Sequence, residues 1–273
     1  MNDAASNGAT LLDVEDVVKR FGGIHAVNGA TLRIREGGIS ALIGPNGAGK
    51  TTLFNVLTGF YKGDRGSVTF QGEEILGDHP YEIARKGMVR TFQITKALAA
   101  MPVIDNMMLA ARDQPGERLR NVVFRPRAFK AREVQVRKQA MELLGIFNLR
   151  DLADAYAGTL SGGQRKLLEL ARALMAQPKL LLLDEPMAGI NPTLGRRLLD
   201  HMQGLRRELG VTILFIEHDM EVVMNHSDRV IVMAEGRVIA EGEPHEVRKD
   251  KRVIDAYLGN VAVDNAAAGS SGG

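Results

Sequence analysis

The chain has 273 residues, 45% of them hydrophobic, with 35 Lys and Arg against 33 Asp and Glu and no cysteine. That length suits one large domain or a domain with a subdomain, and the hydrophobic fraction can fill a sizeable core. The balanced charge gives no global field for nucleic acid or a membrane, and the lack of cysteine excludes a disulfide framework and a thiolate metal site.

Residues 1–8 are small and polar and are expected to be flexible. The start, "MNDAASNGATLLDVED", has neither a basic stretch nor an apolar one and does not read as a secretory signal. No apolar run approaches the ~18 residues of a membrane span, so the chain is expected to be soluble or peripheral, with any spans supplied by other chains. Strand-sized runs then follow: "TLRI" (31–34), "ISALIG" (39–44), "SVTF" (67–70), "LLLLD" (180–184), "VTILFIE" (211–217) and "RVIVM" (229–233). Helical patterns come after several of them, in "GKTTLFNVL", "PTLGRRLLDHMQGLRREL" and "DMEVVMNH", and Pro192 suits a first helical turn. Near-continuous apolar runs and strand–helix alternation predict an α/β fold with a largely parallel sheet.

"GPNGAGKTT", Gly44 to Thr52, follows the run "ISALI" and opens a helix, the context a phosphate-binding loop requires. Gly44, Gly47 and Gly49 let backbone amides of the loop, which also holds Pro45, Asn46 and Ala48, turn toward anionic oxygens. Lys50 is expected to reach the β- and γ-phosphates, and the Thr51 hydroxyl to ligate Mg²⁺, with Thr52 beside it.

From about residue 95 to 176 the pattern is helical throughout. "AREVQVRKQAMELLGIF" is predicted to bury Val134, Met141 and Leu144 on one face. The preceding stretch holds Arg118, Arg120, Arg125, Arg127, Lys130, Arg132, Arg137 and Lys138 against Glu117 and Glu133. It could meet anionic headgroups or an acidic partner; a solvated face is the favoured reading.

"LSGGQRKLLELARALM" follows, with Leu167, Leu170, Ala171 and Leu174 as its apolar stripe. Ser161 would cap this helix, and Gly162 and Gly163 would expose its amides to an anion. Two phosphate-binding helix starts in one chain allow two arrangements. Each could hold its own anion, or one chain's start could close on a nucleotide held by another chain. In "LLLLDEP" a buried strand ends in two carboxylates whose side chains diverge. Asp184 is expected to bind Mg²⁺ through water and Glu185 to polarise the attacking water. In "LFIEHDM", His218 ends the next strand and could contact the γ-phosphate.

The set "GPNGAGKT", "LSGGQ", "LLLLDEP" and "IEHD", in this order, resembles the ATP-binding cassette (ABC) ATPases over residues 11 to 259. The signature "LSGGQ" separates that family from other P-loop proteins. The resemblance implies a RecA-like P-loop NTPase core with a mainly parallel sheet, an antiparallel β region near the N-terminus and an inserted α-helical subdomain. Residues 9–92 and 177–259 would form the core, 93–176 the helical subdomain and 260–273 a flexible tail. It also implies a head-to-tail pair, in which Ser161, Gly162, Gly163 and Gln164 act on ATP held by the other cassette. Phe21 in "KRFGG" is similar to the aromatic that stacks on adenine. Gln93 in "VRTFQ" is similar to the glutamine that senses Mg²⁺ and the attacking water. Asn191 in "PMAGINP" stands where most of the family has aspartate; an amide keeps hydrogen bonding but loses charge, which bears on coupling between the paired sites.

"RTFQ", "NPTLGRRLLDHM", "IEHDMEVVM" and "VIDAYLG" resemble the ATPase subunits of branched-chain amino acid importers. That implies a peripheral subunit on the cytoplasmic face of the inner or plasma membrane, with ATP and Mg²⁺ as cofactors. Its partners would be a second ABC ATPase subunit, identical or homologous, and two transmembrane permease subunits. An extracytoplasmic solute-binding protein would act indirectly, and no nucleic acid is expected. Urea or amide uptake, lipopolysaccharide extraction and a soluble ATPase outside transport are the alternatives within the family.

Overall fold

The computed structural model describes residues 8–91, 98–112 and 126–257. Its strands are β1 (Thr10–Phe21), β2 (Ile24–Arg35), β3 (Ile39–Ile43), β4 (Arg65–Phe70), β5 (Glu73–Glu74), β6 (Met88–Arg90), β7 (Leu180–Asp184), β8 (Thr212–Ile216), β9 (Arg229–Ala234) and β10 (Arg237–Gly242). Its α-helices are α1 (Lys50–Leu57), α2 (Pro80–Lys86), α3 (Val103–Leu109), α4 (Pro126–Ile146), α5 (Gly162–Met175), α6 (Pro192–Leu209), α7 (Met220–His226), α8 (Pro244–Val247) and α9 (251–257).

Two sheets result. One is antiparallel, in the order β2-β1-β4-β5; the other runs β10-β9-β3-β8-β7-β6. The second sheet is parallel except at its β10 edge. The α/β class, the parallel sheet and the antiparallel region near the N-terminus are therefore all present.

Strands β3, β7 and β8 are buried at every position and largely apolar because both of their faces are covered. Leu180, Leu182, Leu214 and Ile216 face α1 (Leu53, Phe54) and the antiparallel sheet (Val14, Leu32, Phe70). Leu181, Leu183, Ile213 and Phe215 face the opposite way, onto the apolar sides of α4, α5 and α6. Burying each such side chain contributes about 1.5–3 kcal/mol. The expected stripe of α5, Leu167, Leu170, Ala171 and Leu174, is buried in this second layer, joined by Leu168 and Met175.

Strand β1 is absent from the sequence-based expectation, and its backbone explains why. Asp16 has φ 49°, and the pairing register with β2 shifts between Val14 and Val17. This bulge puts two exposed residues in a row between buried ones and breaks the alternation that marks a strand. In β10, too, the register shifts between Val238 and Ala240.

The expected face of α4 also needs correction. Val134 is 70% exposed, and the buried stripe is Val136, Ala140, Leu143, Leu144 and Phe147. Leu144 is buried as expected and Met141 is only partly so. At about 100° per residue Val134 lies roughly 160° around the helix from Val136, which carries it off the contact face.

Strands β6 and β7 are direct neighbours, although the chain between them runs through α3, α4 and α5. Among its described residues that segment is helical, apart from short 3₁₀ turns and an isolated bridge between Pro102 and Tyr156. No helix among the described residues is long and apolar enough to cross a membrane. The flexible ends expected at 1–8 and 260–273 fall outside the described residues except for Gly8, as does much of the arginine-rich stretch.

Where α4 meets α6, the His201 ring lies 4.8 Å from Phe147. Burial, the largest cause, pushes the imidazole pKa below its ordinary value, with Arg197 acting the same way and Asp200 opposing. The folded protein then binds fewer protons at His201 than the unfolded chain does. Stability at this site is lost as pH falls through the unfolded histidine value near 6.5. Urea melts of wild type and His201→Phe between pH 7.5 and 5 should show a shallower decline in the variant; parallel curves would disprove the assignment.

Candidate active site

Strand β3 delivers the chain into residues 44–49 at the C-terminal edge of the parallel sheet, where ligands bind in this architecture. Two glycines there cannot be replaced without strain. Gly44 has φ 146° and a Cβ would meet the Met233 carbonyl oxygen at 2.0 Å; Gly49 has φ 97° and a Cβ would meet the Ala26 carbonyl oxygen at 2.2 Å. The loop is backed by the β9–β10 turn, where the Gly236 amide donates to the Ala48 carbonyl at 3.0 Å. Gly49 is the N-cap of α1, whose first turn holds no acidic residue to offset the positive helix end.

Lys50 is 6% exposed, and its Nζ donates to the Gly44 and Pro45 carbonyls at 2.7 and 3.0 Å. Burial pulls its pKa down, while the charges of Glu185 and Asp184 hold it up. Those two carboxylates thus act on the lysine from the end of β7. Thr51 is exposed and Thr52 half-buried at the start of α1.

Asp184 and Glu185 diverge. Asp184 is 3% exposed, and its Oδ2 accepts from Arg90 at 2.6 Å. Arg90 also donates to Asn55 Oδ1 of α1 at 2.6 Å and lies over the Phe54 ring. Asp184 Oδ1 is buried with no hydrogen-bond partner. Glu185 turns the other way, and its Oε1 lies 2.7 Å from His218 Nε2. Beyond β8, Glu217 is 5% exposed, and burial raises its pKa against the backbone amides that it accepts from.

Ser161 caps α5 reciprocally. The Gln164 amide donates to Ser161 Oγ at 3.2 Å, and the Ser161 amide donates to Gln164 Oε1 at 2.9 Å. The amides of Gly162 and Gly163 start a helix with no acid in its first turn. Helices α1 and α5 pack on opposite faces of the parallel sheet, so their starts are separate features of this chain. Phe21 ends β1 with 44% of its surface exposed, edge-on to Tyr61 at 5.2 Å. Asn191 sits just before α6, where its carbonyl accepts from the Gly195 amide at 3.0 Å. Gln93 lies outside the described residues.

Sequence reasoning missed Arg90, Lys166 and Glu217, each a charge inside or next to an apolar run. It also gave no role to Tyr257, half-buried at the end of α9, whose hydroxyl pKa is raised by burial, an effect that the Gly44 backbone opposes.

The residues fit a magnesium ion held mostly by phosphate oxygens and water. Among the described residues no three acidic or histidine side chains converge to hold a metal by themselves. Asp184 nonetheless keeps one unspent carboxylate oxygen at the sheet edge. A cavity of about 510 Å³, lined by Leu143, Leu174, Lys179 and Val211, lies at the opposite, N-terminal ends of β7 and β8.

A glycine loop and buried lysine after β3, with paired carboxylates at the end of β7, the parallel strand beyond β8, define a P-loop ATPase. Residues 27–188 match the family model described as ABC transporter, and residues 237–263 that described as branched-chain amino acid ATP-binding cassette transporter. The chain belongs to the ABC transporter family, as an ATP-hydrolysing cassette. It is 43% identical to the high-affinity branched-chain amino acid transport ATP-binding protein BraF of Pseudomonas aeruginosa, over 91% of this chain and 98% of that one. It is 40% identical to LivG of Escherichia coli K12, a protein of the same description, again over 91% and 98%. A nucleotide-free ATP-binding cassette from an ABC transporter superposes with a TM-score of 0.78 at 38% identity, covering 91% of this chain and 99% of that one.

Proposed function

We propose that this chain is the ATP-hydrolysing subunit of an importer for branched-chain amino acids. The observation that carries the catalytic part is the Glu185–His218 pair, 2.7 Å apart, with Lys50 buried within reach of the Glu185 charge. The tail matched at residues 237–263 supports the substrate class. Glu185 accepts a proton from the attacking water, and His218 fixes the direction of that carboxylate. Lys50 exchanges its two loop carbonyls for phosphate oxygens, and the amides of residues 46–49 add donors from the helix end. Asp184 Oδ1 and the Thr51 hydroxyl, with Gln93, would hold magnesium. When bound, that ion neutralises charge on the phosphates. Phe21 offers a half-exposed ring to adenine, beside Tyr61.

Ser161 to Gln164, with the amides of Gly162 and Gly163 left uncapped, complete a second cassette's site, which makes a head-to-tail pair the working unit. Residues 93–176 form the helical subdomain that passes closure to two permease subunits. The assembly sits on the cytoplasmic face of the membrane, and an extracytoplasmic solute-binding protein delivers the substrate. Labelled leucine uptake in cells lacking this chain, restored with wild type or Glu185→Gln, tests the reading. Rescue by wild type alone is expected. Unchanged leucine uptake in a strain with no other leucine importer would remove the branched-chain assignment.

A further inference from the structure

The backbone at Glu185 is unusual. Its φ is 49°, in the left-handed region that side-chain-bearing residues avoid. Such a conformation persists only where the surroundings over-determine it. The β7–β8 ladder supplies one restraint, the Glu185 amide donating to Ile216 O at 3.1 Å. The Ala188 amide donating to the Glu185 carbonyl at 3.0 Å supplies a second, and two ionic side chains add to them. Lys166 Nζ donates to the carbonyls of Glu185, Pro186 and Ala188 at 3.3, 3.1 and 2.9 Å. An ammonium has three protons, and this one is fully used by one turn. Glu217 holds the same turn from the other side, its Oε1 accepting from the Met187 amide at 2.8 Å. Its Oε2 accepts from the His218 amide at 3.2 Å. One buried carboxylate thereby ties the turn after Glu185 to the residue that Glu185 faces.

The geometry points to Lys166 and Glu217 as positioning residues: together they clamp the turn behind Glu185 and fix its carboxylate against His218. Lys166 lies on α5, the helix that Ser161 caps. The clamp therefore joins, within one chain, the helix start offered to a partner's nucleotide and the carboxylate that works on this chain's own. A displacement of α5 pulls directly on the Glu185 backbone, which gives the paired sites a mechanical connection that needs no change at the phosphate loop.

This inference rests on the catalytic reading of Glu185. The test compares wild type with Lys166→Met, Lys166→Arg, Glu217→Gln and Glu185→Gln in the full chain. Turnover, ADP affinity, thermal midpoint and the nitrogen-15 signals of the His218 ring are measured. Lys166→Met should lower kcat about ten- to hundredfold, the range that small misplacement of a reacting group produces, with ADP affinity within about twofold. The His218 ring signals should move with it. Lys166→Arg should recover most of the rate, and Glu217→Gln, with one acceptor for two amides, should fall between. Wild-type turnover with unmoved His218 signals in Lys166→Met and Glu217→Gln would overturn the clamp. So would a rate loss that merely follows the folded fraction. Wild-type turnover in Glu185→Gln would instead defeat the catalytic reading, and the clamp with it.

Discussion

Glu185→Gln is expected to lower ATP turnover by about 10²–10⁴-fold, the usual contribution of a positioned general base, while ATP affinity stays within about threefold. The substitution is conservative in shape. A glutamine oxygen can still face His218 Nε2, as Glu185 Oε1 does at 2.7 Å, so the imidazole keeps its neighbour. What disappears is the negative charge that accepts a proton and supports the Lys50 ammonium. Binding without turnover should let ATP-loaded cassettes accumulate as closed pairs, visible as a doubled mass by light scattering with ATP and magnesium. A variant that hydrolyses at the wild-type rate would take the proton-accepting role away from Glu185.

The second large effect concerns stability. The side chains of Arg90 and Asp184 are only 8% and 2% exposed and lie 2.6 Å apart. Breaking a buried ion pair from one side leaves an uncompensated charge, which costs about 3–5 kcal/mol. Arg90→Leu should therefore destabilise the chain by about that amount, with Asn55 losing its guanidinium donor as well. Removing both charges removes the penalty, and Arg90→Leu combined with Asp184→Leu should recover most of the loss. Urea unfolding of the two single variants and the double variant closes this cycle. A single variant within about 1 kcal/mol of wild type would mean that water reaches the pair.

What the sequence made legible follows from which interactions are local. "LLLL" predicted strand β7 because both faces are buried, so no polar residue interrupts it. "GPNGAGKT" was readable because positive φ at Gly44, Gly47 and Gly49 leaves few other residue types possible. The Ser161 cap was readable because its partner, Gln164, is three residues away. Strand β1 was hidden by a bulge that depends on its neighbours, and the Val134 face by packing that only the assembled layer decides. Arg90 finds Asp184 across 94 positions, and Lys166 and Glu217 grip backbone atoms of a turn 19 and 30 residues away. Distances of that kind are set by sheet order, which composition and periodicity do not encode.

Sheet order has a further consequence, for synthesis. Strand β3, which leads into the phosphate loop, is central in its sheet, yet its neighbours are β8 and β9. These are residues 212–216 and 229–234, separated from Ile43 by most of the chain. The antiparallel sheet and the helices α3 to α5 can form from nearby residues as they leave the ribosome, because their contacts close short loops. The strand ahead of Gly44 has no partner to lie against until β8 has been made. The phosphate loop thus gains its neighbouring strands late in synthesis, after the antiparallel sheet and α3 to α5, and a chain that stops before β8 cannot seat the strand that carries it.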